Sequence, residues 1–258
     1  MLFRSAIQDQ TVRLDELMDP DLGNDRASAY QAAIEGHATL VMFEYMTEAQ
    51  VGSPVDLSEV PGIAAALRGT LEAARSQFPA LASAPPVLQE SLIFPYVEGV
   101  IFLSRLWARG ERVVPFGENL PTSTAAILDG AAGLRPVELE LTVEGGVSLH
   151  EDVLGRLELE VLLEQHLGAT DRALARGWAG DRYVLVEAAD GSRSLVSYVV
   201  WRDAASRDAF AAAMGRALDR FGGDASIDRV DVGEWPATRL TVDRAAGVRV
   251  RVSGAERR

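Results

Sequence analysis

The hydrophobic period first changes near residue 137 of the 258-residue chain, and no other feature constrains the fold as strongly. Before that point apolar residues recur every three to four positions, the period of a helix with one buried face. From Val137 they alternate (VELELTV), the period of a half-buried strand. Both patterns in that order predict an α+β fold, with helices and sheet segregated along the chain.

The longest helical pattern follows Asn24 or Asp25, either of which can cap it, and runs to about Thr47. Ile34, Ala38, Val41, Met42 and Tyr45 form its stripe. A weaker pattern over Ser5–Met18 precedes it, and shorter helices are expected over Ile63–Phe78 and Leu120–Leu128. Thr122, Ser123 or Thr124 can start the last of these. Glu90–Ala108 is apolar nearly all round, which marks a helix buried in the middle of a domain, with Pro95 as a kink or restart. Further on, Asp152–Leu167 and Ala204–Phe221 read as helices. Arg182–Glu187 and Leu195–Trp201 read as a hairpin about Asp190-Gly191, and Ile227–Val232, Thr238–Val242 and Val248–Val252 as strands. The expected organisation is a helical region, 1–150, followed by a small antiparallel sheet with a packed helix, 151–258.

Composition removes whole classes of chemistry. All 25 basic residues are Arg; without Lys there is no Walker-type phosphate loop and no Schiff-base lysine. Without Cys there are no disulfides, thiolate nucleophiles or Cys-ligated metals. A net charge of −13 opposes nucleic acid and anionic membranes as partners. No apolar run reaches the roughly 18 residues of a membrane span, and MLFRSAIQDQ has no long apolar segment of the signal-peptide kind. The expected location is therefore the cytoplasm.

His37, His150 and His166 are the three histidines. His150-Glu151 starts like H-E-x-x-H, but the second imidazole is missing. His166 stands in the last turn of a predicted helix, where the dipole favours it. Glu35-Gly36-His37 lies inside the longest helix. A glycine there costs about 1 kcal/mol relative to alanine, which close packing of another backbone would offset. Glu35 and His37, two apart, point to different faces, whereas His37 and Glu44 share one. No G-x-S-x-G hydrolase elbow or Gly-rich dinucleotide fingerprint occurs.

Several segments, in order, resemble a bacterial family of zinc metallopeptidases of gluzincin (zincin-like) type. Ala6-Ile7-Gln8-Asp9-Gln10 resembles the A-L-Q-D-Q that follows the family's H-E-x-x-H. Ala33–Thr39 (AIEGHAT) resembles its A-x-E-G-D-A-T helix, and Glu90–Tyr96 (ESLIFPY) its E-S-L-x-F-P-Y helix. Pro121–Thr124 with Ile127-Leu128 resembles its P-T-S-T-x-x-I-L turn, and Gly177–Tyr183 (GWAGDRY) its G-W-G-G-D-R-Y hairpin.

The resemblance implies a zincin-like helical region, but without the family's N-terminal half. Its two His ligands fall on Met1 and Ser5, and its catalytic Glu falls on Leu2. Glu35 matches the third ligand position, His37 stands where the family has Asp, and Asp129 where it tends to have His. The resemblance also implies that small residues such as Ala32, Ala33 and Gly36 let this helix cross close beneath the zinc helix.

A catalytic zinc needs three protein ligands and an open position, so one carboxylate predicts no catalytic residues and no cofactor. The expectation is a non-catalytic, degenerate metallopeptidase-like protein that binds a peptide or protein. Glu35 is its vestigial ligand position, and Gln8, Asp9, Tyr96, Thr122, Ser123 and Thr124 are candidate cleft residues. One alternative is a hydrolase whose zinc site is rebuilt from Glu35, His37, Glu44 and His150. Another is a structural module, a homodimer through the 5–18 helix face, or an assembly surface at Trp201, Trp235 and the edge strands.

Overall fold

In the computed structural model the chain forms two units, 1–135 and 136–258. The described residues are Leu17, Asp19, 22–57, 60, 62–75, 79–108, 112–221, 223–243 and 247–253. The α+β class is as the periods require, with helices first and antiparallel sheet second. The division at Arg135 lies ahead of the 150/151 boundary read from the sequence, because the sheet already starts in the 130s. The predicted 5–18 helix falls outside the described residues, apart from Leu17.

The first unit is built on two long helices, α1 (Asn24–Val51) and α4 (Pro86–Trp107), with α2 (Ile63–Arg75), α3 (Pro79–Ala82) and α5 (Thr124–Asp129) around them. α1 and α4 pack backbone to backbone. A Cβ added to Gly36 would lie 2.3 Å from the Gly99 carbonyl carbon, and one on Gly99 would lie 2.2 Å from the Ala32 oxygen. The crossing partner of the mid-helix glycine is therefore Gly99 of α4, while the segment that the resemblance places across this helix lies outside the described residues. Ala29, Ala32, Ala33, Leu40, Val97, Val100, Phe102 and Leu103 fill the surrounding core.

Pro95 is buried within α4, which continues unbroken from Pro86 to Trp107. Contrary to the sequence reading, α4 is also long and apolar enough to cross a membrane, and half of its most apolar window is buried in the structure. The core of a folded domain accounts for such a helix as readily as a bilayer does.

In the second unit, strands β2 (Gly146–Asp152), β3 (Trp178–Ala188), β4 (Arg193–Trp201), β6 (Trp235–Val242) and β5 (Ala225–Val232) form one antiparallel sheet in that order. β1 (Glu138–Glu144) and β7 (Gly247–Ser253) form a separate antiparallel ribbon, paired from Glu138↔Ser253 to Glu144↔Gly247. The ribbon covers one face of the sheet, where Val137 and Leu139 join Val184, Val186, Val196, Tyr198, Val200, Val232 and Ala237. Side chains alternate along β4, so Trp201 faces the other side. There its ring lies 4.5 Å from Phe210 of helix α7 (Ala204–Gly215). Helix α6 (Gly155–Leu167) ends at His166-Leu167, and His166 stacks on Phe221 at 4.8 Å.

The Asp190-Gly191 turn joins β3 to β4: Gly191 has φ 82°, and the Asp190 carboxylate accepts the Ser192 N–H at 2.9 Å. β2 was not predicted. It is an edge strand with a register shift between Ser148 and His150.

Candidate functional site

α1 presents Glu35, His37 and Glu44 to three different surroundings. Glu35 is half-buried beside the α1–α4 crossing and makes no hydrogen bond or ion pair with a described residue. Burial raises its pKa, and the charge of the chain's N-terminal ammonium opposes that shift. The phenol of Tyr96, half-buried on α4, is raised in turn, first by its own burial and then by the Glu35 charge.

His37 points elsewhere. Its ring stands edge-on to Trp107 (centroids 6.1 Å apart) and to Phe116 (5.9 Å), in an aromatic nest at the end of α4. Glu44 is buried and occupied: it accepts the Leu57 N–H at 3.0 Å and is forked by the Arg112 guanidinium. Arg112 also pairs with Asp56 at 2.9 Å and lies 4.6 Å from the Trp107 ring centroid. These acceptors raise the Arg112 pKa, Asp56 most and Glu44 next.

The P-T-S-T turn is a helix cap. Ser123 is fully buried and accepts the Ala126 N–H at 3.2 Å, which selects it among the three candidate caps. Thr124 donates its N–H, at 2.9 Å, and its hydroxyl to the buried Asp25 carboxylate, tying α5 to the start of α1. The Thr122 hydroxyl donates to Leu134 O at 3.4 Å. These groups are engaged within the unit, so of the expected cleft residues Tyr96 alone is found beside Glu35. Gln8 and Asp9 lie outside the described residues.

The G-W-A-G-D-R-Y segment is also accounted for by packing. Asp181 accepts from Leu154 N (2.8 Å), Gly155 N (2.9 Å) and Trp178 Nε1 (2.8 Å), and so caps α6 from within β3. Its full burial outweighs these three donors and pushes its pKa up to about 6. Gly180 admits the Val137 carbonyl, 2.2 Å from where a Cβ would stand. Arg182 pairs with Glu151, and the Tyr183 hydroxyl lies 3.2 Å from His150 Nε2. Burial pushes the Tyr183 phenol up to about 12, with Asp152, Glu158 and Asp181 adding to the shift. His150 and Glu151 thus sit on strand β2, where the H-E start has no helix to build on. Trp201, a proposed assembly residue, is fully buried and donates its indole N–H to Thr238 at 3.1 Å.

Zinc does not fit the donors described here. Among the described residues no three His, Asp or Glu side chains converge on one point. His37 is held by aromatic rings, Glu44 by a guanidinium, and His150 lies 3.2 Å from the Tyr183 hydroxyl.

Residues 142–257, fewer than half of the chain, match a family model described as a domain of unknown function (DUF8575). No curated protein matches the chain, and no solved structure does. The matched span lies in the second unit and leaves Glu35 and Tyr96 outside it.

Proposed function

We propose that this protein is a non-catalytic, metallopeptidase-like binding module whose helical unit engages a peptide or protein segment at Glu35 and Tyr96. The observation that carries this reading is the state of Glu35. It is a half-buried carboxylate whose pKa burial raises and the charge of the chain's N-terminal ammonium lowers, on the helix that packs backbone to backbone against α4. A partly desolvated carboxylate is stabilised by any ligand group that brings further positive charge to it. Two of the four side chains that a rebuilt metal site would recruit are engaged elsewhere, His37 by aromatic rings and Glu44 by a guanidinium.

A peptidase assay tests the reading directly. Purified protein incubated with a mixed peptide pool is expected to leave every peptide intact, with and without added zinc. Cleavage that a chelator abolishes would overturn it.

A further inference from the structure

The two edges of the second unit's five-stranded sheet are built differently. β2, at one end, is broken by its register shift between Ser148 and His150. β5, at the other, pairs residue for residue with β6 from Ala225↔Val242 to Val232↔Trp235, without a shift. It contains no proline or glycine, and among the described residues no strand lies along its outer edge. The backbone N–H and C=O groups of such an edge are a template for another strand.

The side chains of β5 sort by face. Arg229 and Asp231 stand on the α7 side, where they reach Asp208 at 3.1 Å and Arg207 at 3.3 Å. Val230 and Val232 stand on the ribbon side, in its apolar core. The two charged side chains remain open to solvent, 50% for Arg229 and 71% for Asp231. Two copies joined at this edge by a two-fold axis perpendicular to the sheet run antiparallel and keep their α7 faces on one side. One residue then lies opposite itself at the axis. Centring on Asp228 or Arg229 opposes like charges, which is unfavourable. Centring on Val230 keeps residues 228–232 of both strands paired. It sets Val230 against Val230 and Arg229 against Asp231 of the partner subunit, twice by symmetry.

We propose that β5 is a self-pairing edge: a second copy of this chain docks antiparallel on it, centred on Val230, and continues the sheet through both subunits. The inference concerns the second unit and is independent of the reading of Glu35. Charge complementarity names the occupant, because Arg229-Val230-Asp231 is its own complement at this register. The net charge of −13 opposes association at long range, so the ion pairs act at contact and select the register.

The test is analytical ultracentrifugation of the full chain, from micromolar to near-millimolar concentration, beside Arg229→Asp and Asp231→Arg. The wild type is expected to dimerise. Each variant alone opposes like charges at both pairs and is expected to weaken the dimer at least tenfold. An equimolar mixture of the two variants is expected to recover dimers, because opposite charges then meet at both pairs. Both positions are exposed, and circular dichroism verifies that each variant is folded. A wild type that stays monomeric throughout overturns the inference. So does a dimer that either variant leaves intact, or a weakening that mixing the variants does not reverse.

Discussion

A single methyl group probes the α1–α4 crossing. Alanine at position 36 would drive its Cβ into the Gly99 backbone, which cannot swing aside as a side chain can. Gly36→Ala is expected to cost about 3 kcal/mol or more and lower the thermal midpoint by roughly 5–10 °C. Gly69→Ala, in α2, meets nothing within 4 Å and is expected to gain about 0.5–1 kcal/mol. Melting curves of the two variants separate a packing glycine from an incidental one. The mid-helix glycine was legible in the sequence as a demand for close approach. Its partner was not, because Gly99 lies 63 residues away and no local pattern links the two.

Asp181 gives a second residue-scale test. In the folded protein it keeps its proton up to about pH 6, while an ordinary aspartate loses it near 3.8. The native state therefore binds more protons between those values. Stability from this group is complete below the lower value and is lost as pH rises through about 6. The loss amounts to about 3 kcal/mol. The stability of the wild type relative to Asp181→Asn is expected to fall by about 2 kcal/mol of that total between pH 4 and 6.5, as read from urea unfolding. A difference that stays flat or rises over this range contradicts it. The sequence offered Asp181 only as a letter in a hairpin motif. Its role as the cap of α6 comes from residues 26 and 27 positions back, a distance local cap signals do not reach.

Among the elements, short α5 depends most on its ends. Six residues form a marginal helix by themselves. Ser123 caps it locally, and Asp25 holds it from α1, 99 positions away. Ser123→Ala is expected to cost about 1 kcal/mol. Asp25→Ala is expected to cost about 2 kcal/mol, because the Thr124 N–H loses its buried acceptor. Hydrogen exchange at Ala126 and Ile127 reports both losses. The cap at Ser123 could be read from sequence as one of three candidates, but Asp25 was legible only as a cap for its own helix.

The strands followed a similar rule. β3, β4, β6 and β7 announce themselves by alternation or by the Asp190-Gly191 turn. β2 hides, because Gly145-Gly146 and the break at Leu149 interrupt its period. At an edge, such a break also discourages pairing with another chain.

At the scale of the molecule, the chain is two bodies whose boundary precedes the span matched by the family model. That span starts at residue 142, inside β1, and omits Val137 and Leu139, both buried against the sheet. A fragment 136–258 is therefore expected to unfold cooperatively, and a fragment 142–257 to be less stable by several kcal/mol in urea denaturation. The change of hydrophobic period near 137 marked this boundary. The division at 150 missed it by assigning β1 to the helical part.

The charge pattern concealed more. Arg112 and Glu44 are 68 positions apart, and without that pairing Glu44 looked available to a metal.

The central claim is that Glu35 serves a binding surface rather than a metal centre. The most direct measurement is a zinc titration of the purified full chain beside Glu35→Gln, with metal content determined before and after dialysis. The account predicts well under one zinc per chain and titrations that do not differ between the two proteins. One tightly held zinc per chain, lost on replacing Glu35, would contradict it.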